Sequence, residues 1–206
     1  MLRLAHHLVF VVLLALAGLP AASASGQEAG AASLKGRLLV ADPELQDPNF
    51  AGTVVYLLEH DRRGAMGLVI NRQLAEGPIG TLLEGLKQDQ PVPHPERPIR
   101  VFAGGPVGRD QVFLLHTDDA TGPDTTRVAG GIAVTPSTEL LRDLAAGRGP
   151  HLSLLAIGYA GWGPGQLERE LSQGAWIVVD ADPGLVFDPD VTAKWEHAFA
   201  RRGIDL

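Results

Sequence analysis

The stretch LLAIGYAGWGPGQLERELSQGAWIVVD, Leu154 to Asp180, decides how the rest of the chain is read. An apolar run enters a glycine-rich turn, a short amphipathic helix follows, and a second apolar run ends in an acid. Strand, glycine turn, helix and strand in that order is how a dinucleotide-binding unit opens. Its fingerprint is G-x-G-x-x-G with an acid about 20 residues further on. Asp180 lies near the right distance, but the glycines do not fit. Gly158, Gly161 and Gly163 read G-x-x-G-x-G, and Trp162 stands where a pyrophosphate needs bare backbone. No Gly-Lys-Ser/Thr follows, which excludes a Walker A loop. The helix after Gly165 is short for a crossover, and too little chain follows it to complete a doubly wound half. The first reading is therefore a structural turn, with glycines supplying positive φ and Tyr159 and Trp162 wedged beneath the helix. Nucleotide binding through residues 158–165 is the alternative.

Upstream, GRLLVA (36–41) and TVVYLLEH (53–60) read as buried strands, and AMGLVIN (65–71) as the hairpin partner of the second. Two Asp-Pro steps make DPELQDPNFAG a loop. A short helix is expected near Ile79 to Leu86, followed by the proline-rich loop KQDQPVPHPERP. RVFAGGP and QVFLLHT read as two strands flanking a tight Gly-Gly-Pro turn in which Pro106 fixes φ. DDATGPDTT is expected to be an exposed loop. GIAVT, a strand, leads into the helix PSTELLRDLAAG, with Thr135 or Ser137 as N-cap and Gly147 as the stop. A last helix from about Pro189 to Arg202 places Val191, Trp195, Ala198 and Phe199 on its inner face. Hairpins mixed with α-crossovers predict one α+β domain with a mixed sheet.

Residues 1–24 read as a signal peptide. Arg3 gives a short basic start, LVFVVLLALAGL is an apolar core too short to span a bilayer, and Ala22-Ser23-Ala24 fits the A-x-A cleavage rule. Cleavage after Ala24 and a periplasmic protein are expected. The alternative is a mis-assigned start codon and a cytoplasmic protein. Residues 25–33 read as a flexible lead-in, and the domain as 34–206. The absence of cysteine excludes disulfides, zinc-thiolate sites and thiol nucleophiles. A net charge of −7 argues against nucleic acid as a partner. No motif asks for a metal or cofactor, and the oligomeric state is left open. No stretch beyond the signal is long and apolar enough to span a membrane.

Glu59 and His60 end one strand and His116 another. Brought together, they would form an acid–base cluster of the kind a small hydrolase uses. The competing reading makes them strand-end polar residues, and no metal-binding spacing supports a ligand role. FAGGPVGRD offers backbone N–H groups of Gly104 and Gly105 as an anion nest, with Arg109 nearby.

Four segments in order resemble the YqgE/AlgH family. They are LLVADPELQDPNFAGTVVYLLEHDRRGAMGLVINRQL, FAGGPVGRDQVFLLHT, AIGYAGWGPGQLERELSQGAWIV and FDPDVTAKWEHAFARRGID, and together they cover about 34–206. The resemblance implies an α+β fold with a bifurcated, partly barrel-like sheet. It also implies a regulatory role in bacterial gene expression, for which the family is partly named, and brings no established catalytic residue. The chain departs from the family pattern at Leu58, where a Cys is frequent before Glu-His, at Gln73, where a proline is frequent, and at Gln111, which stands where an arginine follows the Asp. The sequence thus predicts a non-enzymatic module binding a small ligand or protein partner. Its expected cleft forms where the Glu59-His60 strand end, Asn71-Arg72, Gly104-Gly105-Pro106 and the Tyr159, Gly161, Trp162 and Gln166 loop converge.

Overall fold

The computed structural model describes residues 32–86 and 91–203; the expected signal peptide and most of the lead-in lie outside them. The strands β1 (Arg37–Ala41) and β2 (Val54–Asp61) show why the sheet has no wet face over much of its area. Successive side chains on a strand point to opposite faces. Leu38, Val40, Val54, Tyr56 and Leu58 enter one apolar layer, and Leu39, Ala41, Val55 and Leu57 enter another on the opposite face. Both faces are covered, so these strands read as continuous apolar runs.

β3 (Gly64–Val69) forms the expected hairpin with β2, and β10 (Trp176–Asp180) adds antiparallel to the free edge of β1. These four strands make one arm of the sheet. The second arm contains β4 (Gln73–Pro78), β5 (Pro98–Ala103), β6 (Val107–Thr117), β7 (Thr126–Ala129) and β8 (Ile132–Thr135). One long strand, β9 (Ser153–Trp162), belongs to both. Its residues 155–157 pair with β5 in parallel and with β6 antiparallel, while 160–162 pair with β3. The chain is α+β, with a curled, forked sheet of mixed direction.

Gly158 is the pivot of the fork. Before it, Leu154 and Ala156 face the inner layer; after it, Ala160 and Trp162 face the outer layer of the first arm, and Tyr159 takes over the inner side. Left-handed backbone at Gly158 (φ +71°) inverts the alternation, so one strand feeds two arms with opposite facing. The inner layer is shared by both arms and closed by α4 (Pro183–Val186) and α5 (Lys194–Phe199). On the outside, α3 (Gln166–Ser172) covers the first arm through Leu167 and Leu171. There α1 (Ile79–Gly85) and α2 (Glu139–Ala145) cover the second. The fork itself lies between the two helical covers.

Several expectations change. Strand β9 runs on through GYAGW, so the turn is only Gly163-Pro164-Gly165. QLAEGP forms β4, and the loop expected at 118–126 is present over 118–125 and leads into an unexpected strand, β7. Of the two N-caps expected for α2, Thr135 is instead buried in β8 with its hydroxyl engaged by His116 and Thr125, while the Ser137 hydroxyl accepts from Glu139 N–H at the helix start. The helix expected over 189–202 shortens to α5, and an unexpected short helix, α4, capped by the Asp182 carboxylate, precedes it. The folded body also begins upstream of Leu34, since the Ser33 hydroxyl donates to the His60 carbonyl.

Candidate functional site

The Gly-Gly-Pro segment makes the fork a site. β5 and β6 flank β9 on opposite edges, so their connection, Gly104-Gly105-Pro106, must cross over β9. It passes in backbone contact. A Cβ on Gly105 would lie 2.1 Å from the Tyr159 carbonyl carbon, and one on Gly104 would lie 2.2 Å from the Gly158 oxygen. The crossing is pinned on both sides: Gly104 N–H donates to the Ile157 carbonyl, and Val69 N–H donates to the Gly104 carbonyl, each at 2.8 Å. The expected tight turn is thus a bridge over a strand, and the Gly104 amide is spent on the Ile157 carbonyl, which takes one of the two donors from the anion-nest reading.

A cleft of about 380 Å³ opens beside this bridge. Val69, Ala103 and Ile157 form its floor, Gly105 and Pro106 one wall, and Leu74 another, with Asn49, Arg72 and Arg109 at the rim. Arg72 is fixed there, since its Nη2 donates to the carbonyls of Pro48 (3.1 Å) and Ala51 (3.2 Å). Asn71 holds the same corner, accepting from Val54 N–H and donating to the Gly52 carbonyl. Arg109 is exposed and makes no hydrogen bond or ion pair to a described residue. No carboxylate or histidine lines the cleft.

The other expected site residues do not join it. Glu59 and Trp162 border a separate cleft with Asp61 and Arg63. His116 pairs with Ser153 at the start of β9, whereas His60 pairs with Ala65, which pairs with Trp162 at the end of β9. Nine residue steps of strand, up to about 30 Å, separate those ends. The acid–base cluster of Glu59, His60 and His116 is therefore not assembled. His116 is fully buried; its Nδ1 donates to the Thr117 carbonyl and its Nε2 meets the Thr135 hydroxyl. Burial pushes its pKa down, which keeps the ring neutral.

His60 is a clip. Its Nδ1 accepts from Leu34 N–H and its Nε2 lies 2.9 Å from Glu168 Oε1, so one ring ties the start of the fold to α3. Glu168 is held below the usual carboxylate range by its own backbone N–H and by His60. Replacing His60 with Phe is expected to cost about 1–2 kcal/mol, the range for orphaned partners. Leu34 N–H should then exchange with solvent faster in hydrogen-exchange NMR, while Val69 N–H at the fork keeps its protection.

The glycine loop also resolves. Trp162 is buried against Phe50 and Trp176, and both indole N–H groups donate to the same Glu170 oxygen at 2.8 Å. Gln166 accepts from Gly163 N–H and donates to Glu170 Oε1. Tyr159 packs edge-on against Phe113, and Gly161 sits in the β9 pairing with Met66. After α3 the chain does not return beside β9: β10 lies beyond β3, β2 and β1, and Asp180 pairs with Arg37. No βαβ unit forms, so the nucleotide reading is overturned by topology.

The sequence reading missed Lys194. Its ammonium is wholly buried in the inner layer, donating to the carbonyls of Ile70 (3.0 Å) and Val186 (2.8 Å) and lying 5.7 Å from the centre of the Phe102 ring. The signal was present, since Lys194 lies three residues after Val191 and four before Ala198, on the inner face of that helix.

Comparison with known proteins agrees with the geometry. A family model described as AlgH-like matches residues 38–206. A UPF0301 protein of Caulobacter vibrioides is 47% identical over 173 residues, covering 83% of this chain and 88% of that protein. The UPF0301 protein AlgH of Pseudomonas aeruginosa is 44% identical over 173 residues, 84% of this chain and 90% of its own. The solution structure of Pseudomonas aeruginosa AlgH superposes with a TM-score of 0.71 at 42% identity, covering 87% of this chain and 94% of that one. A crystal structure from Corynebacterium diphtheriae shares the fold at 23% identity, with a TM-score of 0.65 over 82% of this chain and 87% of that one. The chain belongs to the AlgH-like family.

Proposed function

We propose that this protein is a binding or regulatory module without catalytic chemistry of its own, and that its ligand sits in the fork cleft. One observation carries the reading: a concave, mostly apolar site at the junction of two sheet arms, with Arg72 fixed on its rim and no acid–base pair in its lining. The test is a thermal-shift screen of small organic molecules against the purified protein, followed by mass spectrometry of each hit after incubation. Ligands that bind only the folded state raise the melting temperature. The expected result is at least one such ligand, recovered unchanged. A hit converted to a product would contradict the non-catalytic half of the reading, and a flat screen would contradict the binding half.

The same proposal places the mature protein in the periplasm, supported by the basic, apolar and small-residue segments of 1–24 in order. Among the described residues, no helix is long and apolar enough to cross a membrane. Intact mass measured in a periplasmic extract is expected to give a product beginning at Ser25. A cytosolic product that retains residues 1–24, or begins near Leu34, would contradict export.

A further inference from the structure

Resting on the reading of the fork cleft as a binding site, we infer that its ligand is a small amphipathic carboxylate, with its charged head between Arg72 and Arg109 and its apolar body on the cleft floor. Two guanidiniums face one cavity whose lining contains no acid to neutralise them. One is held in place by the Pro48 and Ala51 carbonyls, and the other is without a partner among the described residues. A guanidinium presents a planar fork of donors that matches a carboxylate, and two of them over a low-dielectric floor favour an anion. This charge is local: the chain as a whole carries −7, so a general affinity for anions is not what places two arginines together here.

Leu74 is 61% exposed and Val107, next after the Pro106 wall, is 40% exposed. Only one other large hydrophobic residue among those described is comparably exposed. Leu74 lines the cleft with Val69, Ala103 and Ile157, and Val107 follows its Pro106 wall in sequence, so an apolar body has somewhere to lie. At about 30 Å³ per water-sized unit, the cavity holds about a dozen such units, which is the scale of octanoate.

The experiment titrates the protein by calorimetry with octanoate, 1-octanol and inorganic phosphate, and repeats the series on Arg109→Gln. That variant is chosen because Arg109 makes no bond the fold needs, and an unchanged melting temperature checks it. Octanoate is expected to bind at least tenfold more tightly than either octanol or phosphate. Arg109→Gln should weaken octanoate at least tenfold and leave octanol unaltered. Octanol binding as well as octanoate would overturn the carboxylate and leave the cleft a binding site of another chemistry. Phosphate binding as well as octanoate would overturn the apolar body. Octanoate affinity unchanged in Arg109→Gln, or no octanoate binding at all, would overturn the whole inference. The thermal-shift screen above decides separately whether the protein binds small molecules of any class.

Discussion

Gly105→Ala is expected to destabilise the protein by about 3–5 kcal/mol, in the range of the most damaging single substitutions. The added Cβ would meet three backbone atoms, the Tyr159 carbonyl carbon at 2.1 Å, its oxygen at 2.2 Å and the Ala160 nitrogen at 2.4 Å. None of these is the end of a flexible side chain, so relief requires lifting the bridge off β9. That movement would strain the neighbouring bonds from Gly104 N–H to Ile157 and from Val69 N–H to Gly104. Since a domain holds about 5–15 kcal/mol in all, the variant is expected to lose a large share of its stability. The control is Gly147→Ala. Gly147 has the same need for positive φ as other helix-terminating glycines (φ +75°), but open space where its Cβ would go. It should cost about 1 kcal/mol, the left-handed penalty alone. Urea unfolding of the two variants separates crowding from conformation. Equal losses would contradict the crossing geometry.

The second large effect concerns Lys194 and depends on pH. Its pKa is pushed down to about 8, by burial first and then by the Arg100 charge, with Asp188 opposing. The unfolded chain titrates near 10.5. Between those values the unfolded state holds a proton that the folded state has released, so this group makes stability rise with pH from about 8 to 10.5. Below 8 both states carry the charge and the cost of burying it is fully present. The neutral amine still has two N–H donors for its two carbonyl acceptors, so deprotonation breaks no bond. A full shift of this size corresponds to about 3 kcal/mol. Lys194→Met keeps the volume but orphans the carbonyls of Ile70 and Val186, which should cost about 2–4 kcal/mol near pH 10. The cost should shrink as pH falls toward 8, as the wild type begins to bury a charge. Unfolding free energies of both proteins across this range are the readout. Their difference cancels the other titrating groups, including Tyr56, whose pKa burial raises and which acts in the opposite sense above pH 10. A difference that does not change with pH would show that the ammonium is not buried as described.

Much of the fold was legible because its strands carry their own signals. LLVA in β1 and VVYLL in β2 are apolar on both faces, which only a doubly covered strand tolerates. The hairpin of β2 and β3 follows from the short Arg62-Arg63 link between them. Strands that bury little were not legible. All but one residue of QLAEGP in β4 is exposed, so no alternation marks it as a strand. The glycine-rich run was read as a loop because glycine usually ends a strand. Here Gly158 inverts one instead, and a local pattern cannot reveal which neighbours a strand will feed on each side of an inversion.

The site was legible only in part, for the same reason. Arg72, Gly105 and Pro106 were expected at a cleft and line one. Arg109 was expected near the Gly-Gly-Pro amides but not as part of a cleft with Arg72, because that depends on where the bridge lands after crossing β9. Glu59, His60 and His116 were grouped by lying near strand ends, and the two ends of β9 put His116 far from the other two. His60 and Trp162 carry polar atoms that the fold itself satisfies, through Leu34, Glu168 and Glu170. Arg109 is left over, and that is a property of the folded chain that no single residue advertises.

The most direct test of the account is to map a bound ligand on the isotope-labelled protein by amide chemical shifts, using whichever molecule most raises the melting temperature. The account predicts that the shifted amides cluster at Val69, Arg72, Gly105, Arg109 and Ile157, around the bridge over β9. Shifts gathered instead at Glu59, Arg63 and Trp162, at the far end of β9, would contradict the fork as the functional site.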